Sequence, residues 1–337
     1  MRLLRYTLRR LIFVLPVVIG AIFIAFLLTR IVPGDPISKV AGPYATAQQR
    51  ANMRHAAGLD RPFYVQFVKY LGQLAHGDMG VSYETAQPVI KDLEQRFPAS
   101  FELVFYGMAL AILLAVPLGV IGAVKRGTWV DHVSRVIAVL GVSLPIFWIG
   151  LVLLSVFYTR LGWLPGPSGR LPIGMKGPRE ITGLYTIDSL LEGNWSLFTA
   201  SAKALVLPVV TLAVVAMAPI ARMTRSAMVE ALDSDYVRTS RSMGLPTRVI
   251  VFHHAFKNAL LPVLTLIAAV FGYAIGGEVL IELIFSWPGL GLYSYNAIVN
   301  SDFPGIEGFI ILVTLIYLLI YLVVDVMIAT LDPRVEF

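Results

Sequence analysis

The stretch SFELVFYGMALAILLAVPLGVIGAV, Ser100 to Val124, decides the class of fold. Most of its residues are aliphatic or aromatic, and a helix needs roughly 20 such residues in a row to cross a bilayer. Similar windows occur at Leu11 to Ile31, Val133 to Tyr158, Ala204 to Ala221, Ala259 to Ile284 and Gly308 to Thr330. The sequence therefore predicts an all-α, polytopic membrane bundle with about six transmembrane helices.

The composition agrees with a membrane protein and excludes several kinds of chemistry. Of 337 residues, 57% are hydrophobic and 14% are charged, which is too apolar for a soluble domain. The net charge is +6, but the basic residues flank apolar runs, where positive charge orients a membrane protein. Nucleic-acid binding is therefore not expected. The sequence has no Cys, which excludes disulfides, thiolate metal sites and cysteine nucleophiles.

The basic residues also predict the orientation in the membrane. One side holds Arg2, Arg5, Arg9 and Arg10, then Lys125 and Arg126, then the segment Arg222 to Lys257, then Arg334. The other side holds the long segments Val32 to Pro98 and Thr159 to Lys203, and a predicted short turn, Phe285 to Gly305, that contains no Lys or Arg. We therefore expect a multi-pass membrane protein with both termini in the cytoplasm.

Catalytic and nucleotide-binding motifs give little support to an enzyme. Residues Gly166 to Gly169 match the G-x-S-G pattern of intramembrane serine proteases, but they lie in a Pro/Gly-rich segment, and the histidines fall outside the predicted spans. The sequence contains neither the H-E-x-x-H zinc motif nor the phosphate-binding G-x-x-x-x-G-K-[ST] loop. We expect no catalytic residue, metal or cofactor in this chain, and any ATP must be bound by a partner.

Acidic residues in apolar windows are candidates for a solute path, because burying a carboxylate is costly. Glu278 and Glu282 lie one helical turn apart near the outer end of the fifth window, and Asp325 lies toward the inner end of the last. Ser143 and Trp148, in the third window, complete the candidate path. Lining a path and holding the structure together both remain possible for the acids.

A polar insert between two apolar windows, DYVRTSRSMGLPTRVIVFHHAFKN (Asp235 to Asn258), predicts a short helix followed by a second one. Ser234 is the predicted N-cap of a helix from Asp235 to Met243, and Gly244 is placed to end it in a left-handed conformation. Pro246 then suits the first turn of a second helix. That helix would have one apolar face, formed by Val249, Phe252, His253, Phe256 and Leu260. Docking into a groove of a soluble protein and lying on the membrane surface are both open.

Nine short motifs in order resemble one family of transporters along nearly the whole chain. They are PGDP (Pro33 to Pro36), HGDMGVS (His76 to Ser82), RFPASFEL (Arg96 to Leu103), SLPIFWIG (Ser143 to Gly150), RMTRSAMVEAL (Arg222 to Leu232), DYVRTSRSMGL (Asp235 to Leu245), HAFKNALLPVLT (His254 to Thr265), FSWPGLG (Phe285 to Gly291) and LDPR (Leu331 to Arg334). The sequence is similar to the B-type transmembrane subunit of dipeptide, oligopeptide and nickel importers of the ATP-binding-cassette (ABC) class.

The resemblance implies a type I importer fold in the bacterial cytoplasmic (inner) membrane, with a cytoplasmic coupling helix. The loop 222–258 would contact an ATPase through Asp235, Tyr236, Arg238, Thr239, Arg241, Gly244, Leu245 and His254. The broad importer signature, Glu-Ala-Ala followed by Gly and later Leu-Pro, keeps only its glycine, at Gly244. Because Arg238 replaces the glutamate of that signature, we expect an acidic or hydrogen-bond-accepting partner.

The resemblance further implies a second permease chain, two ABC ATPases that bind ATP and Mg, an extracytoplasmic solute-binding protein and membrane lipid as partners. Residues 1–98 would hold the first span and a long outer segment, and 99–337 the core permease domain. Trp287, Pro288 and Gly289 would form an outer gate or simply close a hairpin. The cargo stays open among dipeptides, oligopeptides, nickel chelates, glutathione, opines and sugar-like solutes. A secondary transporter or channel, and a membrane scaffold, are the alternatives.

Overall fold

The computed structural model describes residues 2–31, 45–58 and 60–331, and this part of the chain is built from helices. Its only β-structure is an isolated bridge between Val81 and Pro88. The predicted all-α fold is confirmed. The motif PGDP, and all of LDPR after Leu331 including Arg334, lie outside the described residues.

Fourteen α-helices follow one another along the described residues. They are α1 (Arg2–Ile31), α2 (Ala47–Ala57), α3 (Phe63–Ala75), α4 (Val89–Val124), α5 (Trp129–Ser143), α6 (Ile146–Leu153), α7 (Tyr185–Leu191), α8 (Trp195–Asp233), α9 (Asp235–Ser242), α10 (Thr247–Val249), α11 (Phe256–Gly277), α12 (Val279–Ile284), α13 (Leu290–Val299) and α14 (Phe303–Leu331). Two π-helical segments, Leu154–Arg160 after α6 and Ile250–Ala255 between α10 and α11, continue these helices with a wider winding.

Each predicted window lies on these helices. Helices α4, α8 and α14 and the continuous rod 247–277 are long and apolar enough to cross a membrane, and shorter apolar stretches occupy Val14–Arg30 and Ile146–Arg160. The third window is not one helix as predicted. Helix α5 ends at Ser143 and α6 begins after Pro145, because the proline ring has no backbone N–H to donate. The fifth window is also divided, since α11 ends at Gly277 and α12 begins after Glu278.

The centre of the bundle is the packing of α4 against α8, with α11 beside them. Small residues let these backbones approach closely: a Cβ atom added at Gly119 would lie 2.6 Å from the Cβ of Thr224, and one at Gly107 would collide with Leu212. Such close approach is typical of helix packing in membranes. Helix α1 packs on α14, where Thr29 Oγ1 and Arg30 Nη1 donate hydrogen bonds to Glu307 at 2.5 and 3.1 Å.

The segments predicted as outer loops contain helices of their own. Helices α2 and α3 lie in the first long segment, and α7 lies in the second. The prediction that 285–305 is only a short turn is wrong, because this segment contains the helix α13. Leu290, Tyr293 and Ala297 fall at i, i+3 and i+7 and are all buried, so one face of α13 packs against the bundle.

Candidate coupling site and substrate path

Helix α9 forms the connection between two membrane-spanning rods, α8 and 247–277. It begins after Ser234, ends at Ser242 with Met243 as its cap, and is followed by Gly244 with a φ of +76°. The predicted helix and its left-handed terminating glycine are confirmed. The predicted N-cap hydrogen bond is not formed: Ser234 Oγ donates instead to the carbonyl of Ala231, at the end of α8.

One face of α9 is buried and the other is exposed. Val237, which is fully buried, packs in a cluster with Met228 of α8 and with Val251 and Ala255 of the π-helical segment. The opposite face carries the exposed residues Tyr236, Arg238, Thr239 and Arg241. Arg238 keeps 72% of its side-chain surface exposed and makes only a 3.3 Å contact with Asp235. The helix is therefore anchored to the bundle while its charged groups face outward.

The predicted apolar face of the second helix is wrong. Among its five residues, Val249, Phe252 and His253 are exposed, and Phe256 and Leu260 are only half-buried. The buried side chains are Ile250, Val251, Ala255, Ala259 and Val263. Val251, Ala255, Ala259 and Val263 recur every four residues, so the helix buries a different face from the predicted one, and this difference already begins at Val249, before the π-helical segment Ile250–Ala255. Leu245, which precedes this segment, and His254, which lies within it, are both predicted coupling residues and are half-buried.

Glu282 is a hydrogen-bonded residue inside the bundle. Its side chain is 2% exposed and accepts hydrogen bonds from Ser100 Oγ at 2.5 Å and from the backbone N–H of Leu292 at 2.8 Å. Glu278 is also buried, but its Oε2 has no hydrogen-bond partner among the described residues. The two acids therefore differ: the contacts of Glu282 join α12 to α4 and α13, whereas Glu278 retains an unused acceptor.

Trp287 is an internal anchor. Its indole is 1% exposed and donates through Nε1 to the carbonyl of Ala99 at 2.8 Å. Gly289 lies directly against α4 and α12, because an added Cβ would collide with Ser100 of α4 and with Glu282 of α12. Pro288 is exposed. The turn Trp287 to Gly289 is thus fastened to α4 and does not project as a free outer hairpin.

Ser143 and Trp148 lie on either side of the break between α5 and α6. Both are exposed on this chain, Trp148 to 47%. Helix α6 packs against α12, so the structure brings the helix of Trp148 next to the helix of Glu282. The assignment of these residues to a solute path remains a prediction.

Two sequence profiles of one transporter family together match most of the chain. The family described as "Binding-protein-dependent transport system inner membrane component" matches residues 115–337, and its N-terminal counterpart matches residues 3–104. The chain belongs to this family. It is a permease subunit of an ABC importer and a multi-pass inner membrane protein, which confirms the resemblance found in the sequence.

Curated relatives cover nearly the full length of this permease. The probable D,D-dipeptide transport system permease protein DdpB of Escherichia coli is 43% identical, over 95% of this chain and 94% of the relative. The dipeptide transport system permease protein DppB of Alkalihalophilus pseudofirmus is 39% identical, over 99% and 100%. The glutathione transport system permease protein GsiC of Salmonella choleraesuis is 33% identical, over 99% and 100%.

The permease also has a polar joint that the motif analysis missed. Glu102 of α4 is 1% exposed, receives a hydrogen bond from Arg170 Nη2 at 2.6 Å, and accepts two more from Thr186. The guanidinium of Arg170 also lies 3.5 Å from the ring centroid of Tyr185. A glutamate inside the apolar stretch Ser100 to Val124 was the available signal, because a buried carboxylate requires a partner.

A second carboxylate orders the outer segment around α7. Burial would raise the pKa of Asp188, but hydrogen bonds from Thr182 and from the backbone N–H groups of Ile181 and Gly183 lower it below its ordinary value. The segment 181–188 is therefore fixed to α7, and Glu102 fixes α7 to α4. The segment 181–188 is thus ordered by contacts with the helices of the bundle.

Proposed function

We propose that this permease is one of two transmembrane chains of an importer that takes up short peptides or a similar small solute, delivered by an extracytoplasmic binding protein. Closure of two partner ATPases on ATP would move α9, and α9 would switch the bundle between inward-open and outward-open states. The observation that carries the proposal is α9 itself, a short helix with a buried anchor and an exposed charged face between two spanning rods.

The contacts of α9 would let a displacement of this helix by the ATPases move the membrane-spanning helices. Val237 contacts a cluster shared by α8 and the π-helical segment, so displacing α9 must displace both rods or break apolar packing. Arg238 and Arg241 lie on the exposed face, where an acidic groove of an ATPase would meet them. Tyr236 and the exposed ring of Phe252 would supply apolar contact at the same interface. The remaining predicted coupling residues, Asp235, Thr239, Gly244, Leu245 and His254, belong to the same surface or support it.

The proposed cargo class comes from the relatives. Their names concern D,D-dipeptides, dipeptides and glutathione, and all these solutes carry amino and carboxylate groups. Glu278, with its unused buried acceptor, is the residue that we propose faces a cationic group of the solute. The contacts of Glu282 favour a structural role.

The proposed partners follow from the same mechanism. Since the sequence has no phosphate-binding loop, ATP and Mg would bind to the partner ATPases. The basic clusters favour an orientation with α9 and both termini in the cytoplasm. The structured outer segment, held by Arg170 and Asp188, would then receive the solute-binding protein. A secondary transporter or channel needs no such coupling surface, and family membership argues against that class.

The experiment reverses the charge of Arg238 in the importer reconstituted with its ATPases and binding protein. We expect Arg238→Glu to reduce both uptake and solute-stimulated ATP hydrolysis by about tenfold or more. The reason is that the new glutamate would be desolvated in the acidic groove of the ATPase without a basic partner. Gly244→Pro is expected to have the same effect, because proline cannot adopt a φ of +76°.

The matched control is Arg126→Glu, which reverses an exposed arginine of an ion pair with Asp233 outside α9. This variant is expected to keep solute-stimulated hydrolysis within about twofold of the unmodified importer, as for most surface ion pairs. Normal stimulated hydrolysis in both Arg238→Glu and Gly244→Pro would disprove the coupling role of α9.

A further inference from the structure

A basic cavity lies between α4, α5 and α8, away from α9 and from the candidate solute path. Its volume is about 280 Å³. Arg135, Arg222, Arg225 and Ser226 form its polar wall, and Leu118 and Ala221 form its apolar wall. An amphipathic cavity of this kind suits a ligand with an anionic head and an apolar remainder.

Only one carboxylate faces these arginines among the described residues. Asp131 is 1% exposed and receives hydrogen bonds from Arg225 Nε at 2.7 Å and Nη2 at 3.0 Å. This bidentate contact lowers the pKa of Asp131 to about 2, so the carboxylate is charged at neutral pH. Arg135 Nη2 is more distant from Asp131, at 3.5 Å, and also contacts His132 Nδ1.

The cavity therefore keeps positive charge that its own acid does not balance. Three arginines and one aspartate leave a net charge of +2 at the cavity. Arg222 is exposed and forms no ion pair in the described part of the chain, and the Ser226 hydroxyl beside it is exposed as well. Guanidinium groups and a hydroxyl donor are the groups that proteins use to bind phosphate oxygens.

The position of the cavity favours a lipid as the source of the phosphate. Its apolar wall, at Leu118 and Ala221, lies within the predicted spans. Arg222 and Arg225 lie just beyond the end of α8's apolar window, and Arg135 lies on α5, near the start of the predicted third window. An acyl chain beside the apolar wall would place a headgroup at the arginines, as in other basic pockets between transmembrane helices. A free phosphate would use the arginines alone.

We propose that this cavity binds the phosphate group of an anionic phospholipid, with Arg222 and Arg135 as the contacting cations and Arg225 held in place by Asp131. The orientation proposed above would put this cavity in the inner leaflet of the membrane. The binding of a phosphate group does not depend on that orientation. A bound lipid would fill the space between α4, α5 and α8 at the membrane boundary.

The test is native mass spectrometry of the full-length protein, purified with its partner subunits and exposed to equal amounts of phosphatidylglycerol and phosphatidylcholine. We expect preferential retention of phosphatidylglycerol. Arg222→Gln is expected to weaken that retention about fivefold, because each basic residue near an anionic lipid contributes about that factor. Arg222→Lys, which keeps the charge, is expected to restore most of it, and Ser226→Glu to abolish it.

Arg126→Gln is the matched control, because it removes an exposed arginine near the same membrane boundary but outside the cavity. Retention equal in Arg222→Gln and Arg126→Gln, or no preference for phosphatidylglycerol, would overturn the proposal. Displacement of phosphatidylglycerol by millimolar inorganic phosphate would support the phosphate site, whereas binding of inorganic phosphate without any preference for phosphatidylglycerol would identify a free anion as the ligand and overturn the lipid assignment. No ATP or solute is present in the experiment, so its result is independent of whether α9 couples transport.

Discussion

Gly289 lets the turn before α13 lie directly on α4. At this position an added Cβ would collide with the carboxylate of Glu282 and with Ser100 Oγ, which are themselves hydrogen-bonded to each other. The same turn is fixed by the bond from Trp287 Nε1 to the carbonyl of Ala99 and by the bond from the N–H of Leu290 to Ser100 Oγ at 2.7 Å. One missing methyl group therefore permits several buried hydrogen bonds.

We predict that Gly289→Ala destabilises the permease by about 2 kcal/mol, because overpacking a filled core forces the neighbours to move. A second cost arises if the shift separates Ser100 from Glu282 and leaves a buried carboxylate unsatisfied. The measurement is the unfolding midpoint in detergent, followed by intrinsic tryptophan fluorescence, since Trp287 reports directly on this joint.

Gly72→Ala is the control for the same substitution in open space. Gly72 lies inside α3, has an ordinary helical conformation, and would place its Cβ within 4 Å of no other atom. Alanine is the better helix former by about 1 kcal/mol, so this variant should be neutral or slightly more stable. Equal unfolding midpoints for the two variants would contradict the steric account of Gly289.

At the scale of elements, α9 acts through a single apolar anchor. Val237 is fully buried against residues of α8 and of the π-helical segment, whereas most of the other side chains of α9 face away from the bundle. The helix has only the residues Asp235–Ser242, so it is too short to be stable by itself and depends on this contact.

We predict that Val237→Ala loosens α9 and lowers the uptake per ATP hydrolysed severalfold. Removing two buried methyl groups costs about 2 kcal/mol at most sites, and here the cavity would lie between the moving helix and both rods. The ratio of transported solute to hydrolysed ATP in proteoliposomes measures the effect. Ser242→Ala, at the exposed end of α9, is the control and should keep the ratio of the unmodified importer. An unchanged ratio in Val237→Ala would show that α9 transmits no force through Val237.

The membrane-spanning elements could be predicted from sequence because hydropathy and length alone define them. The stretch from Ser100 to Val124 lies within α4, and Gly244 has the left-handed conformation that its position after a polar helix predicts. Both features depend on local chemistry. Apolar length sets the number of spans, and glycine is the residue that tolerates a positive φ.

The errors arose where distant parts of the chain determine the structure. Phe252 was assigned to an apolar face by a period of 3.6, but the face that packs against α8 and α9 is formed by Val251, Ala255 and Ala259, and Phe252 is exposed. Trp287 does lie in the turn that Pro288 and Gly289 predict, but nothing in the neighbouring sequence indicates that its indole is buried. Its buried position depends on the carbonyl of Ala99, which is 188 residues away in the sequence. A local pattern does not contain that information.

At the scale of the whole molecule, burial is distributed unevenly among the spanning helices. In the most apolar window of α8, 61% of the residues are buried within this chain, whereas in α14 the share is 11%. Helix α8 is thus a central element, and α14 presents its apolar surface to lipid or to another chain. A single permease chain with such an exposed helix agrees with the two-chain bundle proposed for the importer.

The orientation of the bundle can be tested because the sequence contains no Cys, so any introduced thiol is the only one in the chain. We predict that a membrane-impermeant maleimide labels Lys176→Cys in intact spheroplasts, since Lys176 is exposed in the segment assigned to the outer side. Ser242→Cys, exposed at the end of α9, should be labelled only after the membrane is permeabilised. Both positions are exposed in the folded chain, so a difference in labelling between the two variants shows that the membrane separates one of them from the reagent. Labelling of Ser242→Cys in intact spheroplasts would place α9 outside, where no ATPase could reach it, and would reject the orientation and the coupling mechanism together.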